Sequence, residues 1–246
     1  MKLIVLGSSS TGNGYILHNG KEALIIEAGI KLAQVKQALD FNISCIAGCL
    51  ISHSHGDHAG HLESYAKAGI RILTSEHVLS CKNDLVASSL CTPVYAGKGY
   101  KIGNFKVIPF DLQHDVPCLG FLIDHPETGK IVFITDSFLC EYTFENISHM
   151  ILECNYDDNI LEKRILTGSV HPSMRQRLLS THMVLDTCKG ILQANDLTNV
   201  INIVLVHLSD GNSDEARFVR EIRELTGKVV YAANKGLSID FNKVPY

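Results

Sequence analysis

The stretch Ile51-Ser52-His53-Ser54-His55-Gly56-Asp57-His58-Ala59-Gly60-His61 decides how the rest of the chain is read. It leaves an apolar run, Ile46-Ala47-Gly48-Cys49-Leu50-Ile51, which is short and continuous enough for a buried strand. A strand end therefore delivers imidazoles and a carboxylate to a loop facing a cleft. His53 and His55, two residues apart in extended chain, can turn to one cation. Asp57 and His58, beyond the bend at Gly56, can turn to a second beside it. Gly56 and Gly60 let the backbone pass close without a Cβ in the way. A polar surface loop with chance histidines does not account for so dense a cluster of ligating side chains.

Around this stretch lie 246 residues, 46% hydrophobic and 20% charged, an ordinary globular composition long enough to bury a large core. One domain over 1–246 is expected, with no internal repeat, low-complexity tract or linker. No apolar run approaches membrane-spanning length and the first residues lack a signal-peptide layout, so no membrane partner and a cytoplasmic location are expected. Eight cysteines without a CxxC pair read as reduced thiols. A formal charge of −4 argues against coating nucleic acid by bulk charge. It leaves open a local grip on phosphates, because two divalent ions add positive charge at the site itself.

In chain order, strands are expected at Met1–Gly7, Tyr15–His18 and Ala23–Glu27, then a helix over Lys31–Leu39. After the histidine stretch come a helix from His61 to Ala68, a strand at Arg71–Thr74 and a helix over Glu76–Leu85. Gly99–Ile102 and Phe105–Leu112 read as a hairpin running out at Gln113-His114-Asp115. Leu119–Ile123, Ile131–Thr135 (ending in Asp136), Met150–Glu153 and Val200–Val206 (ending in His207) are further strands. Helices are expected over Asp157–Leu166, Met183–Ala194 and from a cap within Asn212-Ser213-Asp214-Glu215 to Leu225, stopping at Gly227, with no defined boundaries between 167 and 182. Lys228–Ala233 and Leu237–Phe241 close the chain. Metal-capable side chains thus recur at successive strand ends, as expected when separate loops converge on one cleft.

His53-x-His55-x-Asp57-His58 resembles the signature of the metallo-β-lactamase superfamily. That resemblance implies an α/β fold, a four-layer αββα sandwich of two mixed sheets with helices outside. It also implies roles: His53, His55 and His114 for a first metal, Asp57, His58 and His207 for a second, and Asp136 bridging the two. Zinc or manganese suits such ligands, and iron is found in related sites. A pair of ions at about 3.5–4 Å suits phosphoryl transfer by a bridging hydroxide, which Asp57 can orient or deprotonate. His55 stands where redox relatives usually carry a carboxylate, which favours hydrolysis. Glu27 stands where the superfamily usually has Asp.

Along most of its length the chain is similar to the YycJ-like (WalJ-type) branch. The similarity runs through Gly7-Ser8-Ser9-Ser10-Thr11-Gly12-Asn13, Leu152-Glu153-Cys154-Asn155-Tyr156-Asp157, the region of His182, and His207-Leu208-Ser209-Asp210-Gly211-Asn212. Members of that branch are regarded as DNA exonucleases working from 5′ ends, so a nucleic acid partner is implied, DNA ahead of RNA. The serine-rich loop reads equally as a plain turn or as an anion cradle using Ser9, Ser10 and Asn13. His182 reads equally as a surface histidine or as a contact to the scissile phosphate or leaving oxygen. Tyr156 stands where the branch more often has His. Lys163, Arg164, Arg175, Arg177 and Lys189 outweigh Glu162 and Asp186 over 162–190; this is a solvated face or a nucleic-acid channel in which Arg175 and Arg177 meet the substrate. A thioesterase- or lactonase-type hydrolase of the same fold is the alternative, and it has no use for the basic stretch.

Overall fold

The computed structural model describes residues 1–82 and 89–244. One sheet begins with β1 (Lys2–Gly7), β2 (Gly14–His18), β3 (Ala23–Ile26), β4 (Ile46–Leu50), β5 (Ile72–Thr74) and β6 (Cys91–Pro93). The other holds β7 (Tyr100–Ile102), β8 (Phe105–Leu112), β9 (Cys118–His125), β10 (Gly129–Ile134), β11 (Ile147–Glu153), β12 (Asn202–Val206) and β13 (Val229–Ala232). The last strand, β14 (Ser238–Asp240), returns to pair antiparallel with β1, so the orders are β14-β1-β2-β3-β4-β5-β6 and β13-β12-β11-β10-β9-β8-β7.

Each sheet is built the same way. An antiparallel meander, β1–β3 or β7–β10, gives way to parallel neighbours, β3-β4-β5-β6 or β10-β11-β12-β13. The central parallel strands are mostly apolar because both faces are covered; every residue of β11 and β12 is buried, Ser148, His149 and Asn202 included. On β8 the side chains of Phe105 and Val107 turn inward while Lys106 and Ile108 face out, the period-2 pattern of a half-covered strand.

Leu3, Tyr15, Leu24 and Ile26 of one sheet meet Phe105, Phe121, Phe133 and Val204 of the other in a single core between the sheets. Outside the first sheet, α1 (Leu32–Ala38), α2 (Gly56–Ala59) and α3 (Leu62–Lys67) bury Val35, Ala59, Leu62 and Tyr65 against Ile25 and Cys49. After α4 (Glu76–Ser80), the other outer layer comes from α5 (Asp158–Leu166), α6 (Ser173–Thr181), α7 (Leu185–Ala194) and α8 (Glu215–Thr226). In that layer α7 and α8 bury Cys188, Leu192, Phe218 and Ile222 on Met150 and Leu205. The result is the expected four-layer αββα sandwich. Helix α8 starts and stops as its sequence reads: Asp214 accepts from the Arg217 amide, and Gly227 ends it at φ 66°.

Four local features differ from the sequence reading. Gly56–Ala59 closes into one helical turn inside the histidine stretch, and α6 occupies the segment without predicted boundaries. The expected helix over Glu76–Leu85 is observed as Glu76–Ser80, with Leu85 outside the described residues. The edge strand β6 is only three residues long and carries Pro93, which an edge tolerates.

One buried histidine of β11 sets an acid limit on the fold. His149 stacks on Phe241 with ring centroids 4.0 Å apart, and burial pushes its imidazole down to about 3. The unfolded chain takes up a proton here near pH 6.5 and the folded chain does not. Stability therefore falls as pH drops from about 6.5 towards 3. This residue should cost about 1.5–2 kcal/mol between pH 6.5 and pH 5. Urea titrations at the two pH values, with chelator present, should show that loss in the native sequence and a smaller slope in His149→Gln. An undiminished slope in the variant assigns the acid sensitivity to other groups.

Candidate metal centre

The carboxyl ends of the parallel strands point to one edge of the sandwich, where such sheets place their ligands. Glu27 follows β3, Ser52 to His58 follow β4, Asp136 follows β10, Glu153 ends β11 and His207 follows β12. His114 arrives from the end of β8 in the same cleft. Glu27, Asp136 and His207 have φ of 69°, 47° and 55°, the left-handed region that costs a non-glycine residue about 1–2 kcal/mol. Such turns abruptly redirect each side chain at the strand end, and backbone strain of this kind gathers at functional sites.

Among the described residues three overlapping donor groups result: His53, His55, His114 and Asp136 form the first, Asp57, His58, Asp136 and His207 the second, and Asp136, Glu153, His182 and His207 a third; Asp136 belongs to all three, and the first two are those the motif reading assigns to cations. In the second group His58 Nε2 is 3.3 Å from Asp57 Oδ2 and 3.3 Å from Asp136 Oδ1. There His207 Nε2 is 3.4 and 3.8 Å from the same two oxygens. In the first, His55 Nδ1 is 3.3 Å from His114 Nε2, and His53 Nε2 is 3.8 Å from Asp136 Oδ2. Donors around one divalent ion at about 2.1 Å in tetrahedral array stand about 3.4 Å apart. The Nε2 of His53 is buried with no hydrogen-bond partner, an orphan that a cation would satisfy. The residues fit a pair of cations.

The remote nitrogens of His53, His114 and His207 are engaged as metal-binding imidazoles require. His53 Nδ1 meets Ser52 Oγ at 2.8 Å, and His114 Nδ1 donates to the Thr181 carbonyl at 2.9 Å. His58 Nδ1 lies 3.5 Å from Glu27 Oε2, which also accepts from the Ser52 amide. The longer acid thus comes alongside His58 Nδ1 without hydrogen-bonding it. His207 Nδ1 is 3.0 Å from the Asn155 amide and 3.7 Å from Glu153 Oε1.

Burial and charge separate the groups electrostatically. Burial lowers the His53 and His114 imidazoles, keeping their nitrogens free to ligate. Burial is the largest influence on His58 and His207 and opposes their charge, but the carboxylates together outweigh it, Asp136 and Glu27 with Asp57 at His58 and Asp136, Asp57 and Glu153 at His207. Both imidazoles are raised. Against the same desolvation, His207 and His58 hold the carboxyls of Asp136 and Asp57 well below the usual range. A cation in the second group therefore displaces protons, and acid weakens its binding.

His182 caps the end of α6 and joins the rim. Its Nδ1 is 2.8 Å from Glu153 Oε1, and its ring stacks on His207 at 5.2 Å. Glu153 is fully buried, its carboxyl is pushed up by desolvation, and its Oε2 accepts from the Ser137 amide at 2.8 Å. The sequence reading gave Glu153 no role, although it sits at a strand end like Asp136 and His207.

Over the donors lies a cleft of about 160 Å³, lined by Ser10, Arg177, Thr181 and His182. It adjoins one of about 260 Å³ that shares Ser10, Arg177, His182 and His207 and adds Ser9. Asn13 does not line either. It is buried beneath the second group, its amide nitrogen 2.9 Å from His58 Nε2 and 3.3 Å from Asp57 Oδ2. Arg175, although exposed on α6, is likewise absent from both walls. Tyr156 is buried among Leu161 and Leu178, and desolvation pushes its hydroxyl up to about 12.

Residues 1–90 match the family model described as anti-Pycsar protein Apyc1. Exodeoxyribonuclease YycJ of Bacillus anthracis is 26% identical over 226 residues, covering 86% of this chain and 84% of its own. Exodeoxyribonuclease WalJ of Streptococcus pneumoniae is 25% identical over a 256-residue alignment covering 98% of this chain and 92% of its own. Among solved structures, the metallo-β-lactamase fold protein YhfI of Bacillus subtilis superposes with a TM-score of 0.72 at 15% identity, over 97% of this chain and 99% of that one. The chain has the metallo-β-lactamase fold, and along most of its length its sequence is similar to the YycJ and WalJ exodeoxyribonucleases.

Proposed function

We propose that this chain is a metal-dependent phosphodiesterase that degrades DNA as a 5′-to-3′ exonuclease. The observation that carries the reading is the pair of donor groups sharing Asp136, set beside a cleft whose wall holds Arg177 and His182. The similarity to two exodeoxyribonucleases supports DNA as the polymer. Zinc or manganese fits the mixed imidazole and carboxylate donors. Bound divalent cations supply acidified water and neutralise phosphate oxygens.

The side chains divide the remaining work. Arg177 and the hydroxyls of Ser9 and Ser10 face the clefts where the backbone phosphates lie, so they hold the strand in register. Asp57, one-fifth exposed at the cleft, orients the attacking water and takes its proton. As the water oxygen bonds to phosphorus, the bond from phosphorus to the sugar oxygen breaks. That leaving oxygen takes a proton from His182, whose ring is oriented by Glu153. The two adjoining clefts form an open groove, which suits a chain threading past the donors better than a small closed ester. Among the described residues no helix is long and apolar enough to cross a membrane.

The test is a time course on end-labelled single- and double-stranded oligonucleotides, with manganese and zinc supplied separately. Mononucleotides should appear stepwise from a 5′-phosphorylated end, and His207→Ala should abolish them. Protein that holds cations yet cleaves no oligonucleotide with either metal would shift the reading to a small carbonyl substrate.

A further inference from the structure

One arginine of the basic stretch over 162–190 has neither a carboxylate partner nor a place in a cleft wall. Arg164 stands in the last turn of α5, half-buried, and among the described residues it forms no ion pair. Its Nη1 donates to Asn212 Oδ1 at 2.8 Å. Its guanidinium lies against Gly211, where a Cβ would collide with Nη1 and stand 2.8 Å from Cζ. The φ of Gly211 lies outside the left-handed region, so the guanidinium rather than the backbone calls for glycine there.

These contacts reach the loop 208–212, which follows His207 and forms one wall of the larger cleft. Met174, Arg177 and Leu178 of α6 form another. Helix α6 packs on α5, with Met174 and Leu178 joining Leu161 and Ile165 in one apolar cluster. The backbone bonds that anchor the loop fall on either side of its exposed tip, Asp210 and Gly211. The Ser209 amide donates to the Asn155 carbonyl at 2.8 Å, and the Asp157 amide to the Asn212 carbonyl at 2.9 Å. Arg164 is thus the side chain through which α5, already carrying the α6 wall, also braces the tip of the loop wall.

We propose that Arg164 is a positioning residue that fixes the spacing between two walls of the DNA groove without touching the strand. This inference rests on the phosphodiesterase reading above. A bond to Asn212 combined with a flat contact on glycine needs the planar fork of arginine, whereas an ammonium supplies only the charge. A substrate long enough to fill both clefts feels the spacing; a small ester held at the metal-donor residues does not.

Steady-state kinetics on a 5′-phosphorylated oligonucleotide and on bis(p-nitrophenyl) phosphate test this, with metal content measured alongside. Arg164→Met, Arg164→Lys and Gly211→Ala should each raise KM for the oligonucleotide about tenfold, with kcat within about twofold of wild type. Both constants for the nitrophenyl ester should stay within about twofold. The double variant Arg164→Met/Gly211→Ala should lose no more than Arg164→Met alone, because both changes break one contact. Lys163→Met, which removes a charge from an exposed position of the same helix, should match wild type. A wild-type KM in Arg164→Lys, multiplied losses in the double variant, or an equal loss in Lys163→Met overturns the assignment and leaves the phosphodiesterase reading standing. Equal losses on both substrates with reduced metal content overturn it as well, as damage to the centre. Wild type that leaves the oligonucleotide uncut overturns both.

Discussion

Asp136→Asn is expected to lower bound metal from about two ions per chain to less than one, and phosphodiester turnover by at least about a thousandfold. The size follows from the residue's place in both groups assigned to cations. Its Oδ1 faces His58 and His207, and its Oδ2 faces His53. An amide offers one oxygen and a nitrogen that cannot ligate, so one group loses its shared anion outright and the other keeps only a neutral oxygen. Asparagine is the informative replacement because the position has φ 47°, which Asn tolerates, so the turn after β10 survives. Far-UV circular dichroism should be unchanged while metal content, measured by atomic emission on dialysed protein, drops. A variant that keeps two ions and wild-type turnover would remove Asp136 from the centre and with it the bridge between the groups.

The convergence of Asp136 with the histidines was legible in the sequence, and the reason is topological. Parallel strands buried on both faces are largely apolar, so a metal-capable side chain at or just past the end of each run marks the functional edge. His207 follows its run directly, and Asp136 and His53 follow theirs after one small polar residue, Thr135 and Ser52. Glu153 likewise ends β11, yet a single terminal acid looks the same whether it turns inward or to solvent. Only its full burial, and the contacts to His182 and the Ser137 amide, distinguish it. Loops were harder to read. Ser9, Ser10 and Asn13 share one turn, but the chain direction places the serines at the groove and drives Asn13 under Asp57 and His58. Arg175 and Arg177 sit two apart on α6, a helical separation that does not place two side chains on one face. Accordingly Arg177 lines both clefts and Arg175 neither.

His182→Ala is expected to keep both cations and to lose about 10²- to 10⁴-fold in turnover on DNA. The residue is not a member of either donor group that contains His53 or His58, so its removal leaves those sets complete. With Nδ1 held by Glu153 at 2.8 Å, the other nitrogen is free to carry a proton into the cleft. A sugar alkoxide is a poor leaving group and needs that proton, whereas a nitrophenolate departs readily without it. The loss on bis(p-nitrophenyl) phosphate should therefore stay below about tenfold. Glu153→Gln should show the same dependence on the leaving group with smaller losses, because it disturbs the orientation of His182 while sparing its ring. Damage to folding or to metal binding would depress both substrates alike, so the ratio of the two rates isolates the proton transfer. Equal losses on DNA and on the nitrophenyl ester, with metal content intact, would make His182 a phosphate-binding group and leave the sugar oxygen to draw its proton from solvent.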